Sequence, residues 1–134
     1  MLESLFRGAA GFAYTLMRIV VGLAFAQHGA QKLLGVFGGA GPGGGSVEFI
    51  SLMGLAGLIE LGGGLLVAIG LLTRITALVC SGQMAAAYFM AHAGRGFWPI
   101  ENGGELAVLF CFVFLYIAVR GGGPLSFDGF GRPG

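Results

Sequence analysis

Four apolar runs, separated by turn-forming segments, limit what this chain can fold into more than any other feature. They cover residues 9–34, 49–72, 75–92 and 104–119. A bilayer-crossing helix needs about 20 mostly apolar residues, because hydrocarbon offers main-chain N–H and C=O groups no partner outside the helix itself. The last two runs are short, so their ends are expected to reach into the flanking loops. The glycine-rich stretch 35–45, with Pro42, cannot continue a helix cheaply and reads as a loop. Thr73 and Arg74 make a tight turn between the second and third runs. Residues 95–103 form the third connection, where Trp98 suits the headgroup level. The polar, Gly/Pro-rich tail 121–134 is expected at the surface. The expected fold is all-α, a single domain of residues 1–134 built as an integral membrane four-helix transmembrane bundle with antiparallel neighbours.

Composition excludes other classes. The chain is 56% hydrophobic and 10% charged, whereas soluble domains carry about 25% charged residues. A formal net charge of +1 argues against nucleic acid, which demands a clustered basic surface. The N-terminal apolar stretch is too long for a secretory h-region, lacks a clean cleavage site and contains Arg18, so it reads as a first spanning helix. Among 28 glycines, Gly54, Gly57 and residues 62–64 form a small-residue seam that lets helix backbones approach. Cys80 and Cys111 each lie alone in an apolar run, without a Cys-x-x-Cys. Helix rise separates them by roughly 12 Å in depth, too far for a disulfide, so both read as small apolar fillers.

Positive charges set orientation. Arg7, Arg74, Arg120 and Arg132 fall on one side, Lys32 and Arg95 on the other. Both termini are therefore expected on the cytoplasmic side of a multi-pass protein whose first partner is the lipid bilayer.

Glu60 stands in the middle of a run that otherwise carries no charge, and an ionisable group at that depth marks a partnered or functional position. Arg18 lies nine positions in from residue 9, and Glu60 eleven positions in from residue 49 on the opposite side. At roughly 1.5 Å per residue in a core about 30 Å thick, both fall at one level. The expectation is an intramembrane Arg18–Glu60 ion pair, serving either to lock the bundle or as part of a site.

A second group gathers near the outer surface. His28 and Lys32 share a helix face, being four apart; His92 ends the third run and Glu105 opens the fourth. Tyr88 sits one turn before His92 on the same face, either lining a cavity or packing. His28, Lys32, Glu60, Tyr88, His92 and Glu105 are thus the ligand-pocket candidates, against the plainer reading of interfacial caps. Gln27 and Gln83 are polar within runs and suited to hydrogen bonds between helices. Two histidines at one depth suggest axial haem ligation, and His28, His92 and Glu105 suggest a two-His, one-carboxylate metal set. Neither has diagnostic spacing, so no metal or haem is expected.

Taken in order, these residues resemble the DoxX family of small bacterial membrane proteins. The resemblance rests on Arg18 followed by Gly22, His28-Gly29, Lys32, Glu60 with Gly63-Gly64, and the stretch Gly70-Leu71-Leu72-Thr73-Arg74. It continues through His92, Gly103-Gly104-Glu105 and the closing Gly121-Gly122-Gly123-Pro124-Leu125-Ser126-Phe127-Asp128, spanning about residues 14 to 129. It implies a four-helix protein of the bacterial inner (plasma) membrane. It also implies association with quinone-linked redox functions: one branch resembles the large subunit of thiosulfate:quinone oxidoreductase, while others are linked to quinone or thiol stress or to complexes with detoxifying enzymes.

Three functions follow. The first is a redox-associated component, at most a subunit of a quinone-linked oxidoreductase, binding a quinone-like molecule in a polar intramembrane pocket. There a histidine and carboxylates would supply protons, and electrons would come from a redox partner protein. The second is a non-catalytic scaffold or anchor for a partner complex. The third is a small-solute transporter, which four short spans would permit only in a homo-oligomer. No catalytic residue is assigned.

Overall fold

The computed structural model describes residues 1–130, and all their regular secondary structure is helical. Helix α1 spans Leu2–Leu34 and ends at Gly35 in the left-handed conformation. It begins seven residues before the apolar run, in an exposed N-terminal stretch. A loop follows, and Ser51 then caps the next helix, its hydroxyl accepting from the Gly54 N–H at 3.0 Å. Helix α2 spans Leu52–Ile69, three residues shorter at each end than the apolar run. Within it lies a π-turn, Ile59–Gly63, carrying Glu60. Helix α3 covers Thr73–Ala87 and continues through a second π-turn, Tyr88–His92. A one-turn helix, Pro99–Asn102, leads to α4, Glu105–Arg120.

By length and composition, α1 and α2 are each apolar enough to cross a membrane. They pack backbone to backbone. A Cβ on Gly22 would lie 2.6 Å from the Gly64 carbonyl oxygen, and one on Gly29 would collide with the main chain at Leu61 and Gly57. Position 22 meets 64 and 29 meets 57, so the two helices run antiparallel. Helix α3 lies against α4, where the Ser81 hydroxyl donates to the Cys111 carbonyl at 2.7 Å. The two cysteines are free thiols. Phe25 of α1 is buried between Phe110 and Phe114 of α4, at ring-centroid distances of 5.2 and 4.7 Å. Outward-facing positions are apolar too: Leu16, Val20, Leu23, Leu55, Leu65, Leu78, Leu109 and Phe112 are all exposed.

The tail corrects the sequence reading. Gly121, Gly122 and Ser126 are buried, not laid on the surface. The Asp128 carboxylate accepts from the main-chain N–H groups of Leu72 (2.9 Å) and Thr73 (2.8 Å), capping the start of α3. Its own N–H donates to the Gly70 carbonyl at 2.9 Å. Gly70, in the left-handed conformation, lies where a Cβ would run into Ser126 and the Arg18 guanidinium. Arg74 donates to the last carbonyls of α4, including Ala118 at 3.1 Å. Arg132, counted in the charge asymmetry, lies outside the described residues.

Candidate functional site

The expected Arg18–Glu60 pair does not form. Arg18 is fully buried and donates to main-chain oxygens: Nη1 to Val67 (2.7 Å) and Ala68 (2.6 Å), and Nη2 to Leu125 (2.5 Å). The planar guanidinium fork thus ties the end of α2 to the tail. Asp128 is the acidic side chain that interacts electrostatically with it. The glycine contacts explain the miss. They set Arg18 level with Val67 and Ala68, and Gly29 level with Leu61, so Glu60 lies about three turns past Arg18 along α1, within reach of a long side chain just beyond Gly29.

That side chain belongs to Lys32. Its Nζ lies 2.6 Å from Glu60 Oε2, with the carboxylate side chain 4% exposed and the lysine 15%. Gln83 of α3 completes the arrangement, donating from Nε2 to Glu60 Oε1 at 2.9 Å. A carboxylate accepts only, which fixes the Gln83 amide orientation and leaves Oε1 as an acceptor. That oxygen is buried and has no hydrogen-bond partner among the described residues. Three helices therefore meet at one carboxylate whose two oxygens are both satisfied, as burial of a charge requires.

The triad opens onto a cleft of about 320 Å³. His28, Lys32, Glu60 and His92, four of the six candidates, line it together with Gln83, and Phe25, Met84, Leu106 and Phe110 supply apolar wall. His28 stands edge-on to Phe110, with ring centroids 6.0 Å apart. His92 Nδ1 lies 3.3 Å from the Asn102 carbonyl oxygen, which holds the ring against the α3–α4 connection. Both Glu60 and His92 sit in π-turns, local one-turn bulges common at functional sites.

The remaining two candidates lie elsewhere. Tyr88 is buried, but its hydroxyl donates to the Phe97 carbonyl, and its ring belongs to a separate apolar groove. Glu105 is exposed on the first turn of α4, where a carboxylate complements the helix dipole. Gln27 is exposed as well. Sequence reasoning missed Asn102. Buried to 2% exposure, it donates to the Gly96 carbonyl (2.7 Å) and the Tyr88 hydroxyl (3.2 Å) and accepts from the Gly104 N–H (2.8 Å). Its setting before Gly103-Gly104 was the available signal, since Asn and Gly together mark an ordered turn.

A larger hollow, about 690 Å³, opens at the opposite end beside Arg74 and Asp128. Those two side chains already serve as helix caps, so the Glu60 cleft is the better candidate site.

Comparison with known proteins agrees with the sequence pattern. The DoxX family model matches residues 13–93. A protein of Haemophilus influenzae, described as uncharacterized, is 44% identical over 115 residues, covering 84% of this chain and 85% of that one. No solved structure matches the chain. The chain belongs to the DoxX family.

Proposed function

We propose that this is a multi-pass inner-membrane protein whose four long helices cross the bilayer, with both termini cytoplasmic, and whose Glu60 cleft binds a quinone-like molecule in support of a redox partner. The apolar outer faces of all four helices favour a lipid surround. Orientation follows the positive charge: Arg74 and Arg120 mark the cytoplasmic end, and the cleft faces the other side.

One observation carries the ligand assignment: charged, amide and imidazole side chains converge at a single cleft whose other walls are apolar. Such a site suits a ring with polar edges and an apolar body. Lys32 has three N–H donors and uses one on Glu60, so it can also donate to a quinone oxygen. The unsatisfied Gln83 Oε1 fits the hydroxyl of the reduced, quinol form. Two-electron reduction of a quinone takes up two protons, and the imidazoles of His28 and His92 are the cleft side chains suited to hand them on. The electrons would arrive from a partner protein.

The test is quinone titration of the purified full chain beside the variants His28→Ala and His92→Ala, with thermal unfolding in parallel. The reading requires weaker quinone binding, by about tenfold or more (roughly one charge-assisted hydrogen bond), with unfolding temperatures unchanged. Variants that lose stability alone would make the polar cluster structural and favour the scaffold function.

A further inference from the structure

Next to the cleft lies a second cavity, a groove of about 410 Å³ with wholly apolar walls. Tyr88, Phe89, Phe97, Trp98, Val108 and Phe112 form most of it. Cleft and groove share two wall residues, Met84 and Ala107. We infer that they are two compartments of one ligand site: the polar head lies in the Glu60 cleft, and a hydrocarbon chain on the same molecule passes between α3 and α4, over Met84 and Ala107, into the groove. This deepens the quinone reading and rests on it, specifying a chain-bearing, membrane-borne ligand rather than a small water-soluble one.

Three features support the passage. The α3–α4 seam is hydrogen-bonded at Ser81 and Cys111, but one turn further along the wall shared by the two cavities is made by Met84 and Ala107. There the partition consists of an unbranched methionine, whose three rotatable bonds let it move aside, and an alanine, the smallest side chain with a Cβ. The hydroxyl of Tyr88, which lines the groove, is engaged internally: it donates to Phe97 and receives Asn102 Nδ2. The groove therefore offers aromatic and aliphatic carbon along its length, a surface that rewards a chain and nothing polar. The wall it shares with the head cleft at Met84 and Ala107 sets it apart from ordinary lipid-facing surface.

The experiment compares menadione, a chainless naphthoquinone, with a short-chain menaquinone on the full chain in detergent. Wild type is measured beside Val108→Trp, which fills the groove without touching the cleft. Menaquinone affinity should fall at least about tenfold, the effect of displacing roughly two chain methylenes, with menadione affinity unchanged. Should Val108→Trp fail to fold, Ala85→Phe blocks the groove from α3. Unchanged menaquinone affinity in a folded groove variant, as expected if bilayer acyl chains merely fill the groove, overturns the inference and leaves the cleft reading standing. Equal loss of both quinones in a folded variant also overturns it. Failure of wild type to bind either quinone removes both readings together.

Discussion

Lys32 Nζ and Glu60 Oε2 lie 2.6 Å apart and join α1 to α2 through the more deeply buried of the two ion pairs among the described residues. The other, Glu3 with Arg7, is exposed at 3.8 Å, a class of contact worth little.

Removing one partner of the inner pair leaves a charge stranded. Lys32→Met leaves the Glu60 carboxylate facing only Gln83 and should destabilise the protein by about 3–5 kcal/mol. The double variant Lys32→Met/Glu60→Gln should cost clearly less than the sum of the two single changes, because neither charge is left alone. Denaturation in detergent reads the cycle, and strict additivity would mean that the two side chains do not interact.

Glycines at the α1–α2 crossing have no room to grow. Gly22→Leu and Gly29→Val should each destabilise by at least about 1–3 kcal/mol, since the new side chain meets main chain that cannot rotate away. Gly82→Ala on α3 is the control. A Cβ there meets nothing within 4 Å, so relief of the glycine penalty should stabilise by about 0.5–1 kcal/mol. Thermal unfolding of the three variants tests the opposite signs.

Arg18→Lys keeps the charge but loses the fork. It should release part of the bonding to Val67, Ala68 and Leu125, at roughly 1.5–3 kcal/mol per charged hydrogen bond. Amide exchange in residues 121–130 should quicken, while quinone affinity stays at the wild-type value because Arg18 does not line the cleft. Lost quinone affinity with a protected tail would restore the Arg18–Glu60 arrangement expected from depth alone.

Asp128→Ala should cost about 1 kcal/mol, as for other helix caps. Exchange at the Leu72 and Thr73 amides should rise first, and unchanged protection there would show that the tail does not hold the start of α3.

Several of these features were legible in the sequence. The four apolar runs mark the helices well, and residues 75–92 and 104–119 match α3 with its π-turn and α4 within two residues at each end. The match follows from physics, since an unbroken apolar run can satisfy its main chain only as helix. Topology placed His28, Lys32 and His92 at one level, but grouped them with Glu105 and put Glu60 beside Arg18 instead. The partner of Glu60 was therefore missed. Run 9–34 is longer than a bilayer core, so depth counted from its first residue misplaces α1 against α2. Glycine spacing held the needed information: Gly22 and Gly29 are seven apart, as are Gly57 and Gly64, and pairing them puts Glu60 about three turns past Arg18 along α1, toward the long Lys32 side chain. The burial of the tail was hidden because its carbonyls, rather than its side chains, satisfy Arg18, and any sequence has carbonyls. Glu105 looked like a pocket residue from its position at a helix start, but the first turn of α4 turns it outward.

The π-turn carrying Glu60 makes α2 sensitive to length as well as to residue identity. The turn already holds one residue more than an α-turn, and inserting a further residue beside the exposed Gly62 would swing everything beyond it by about 100° relative to what precedes it. Gly57 and Gly64 could then no longer both address α1, and the acid would lose its lysine although every polar side chain survived. One codon gained at that turn therefore separates a chain that can assemble this interior from a relative that retains its whole polar inventory yet cannot.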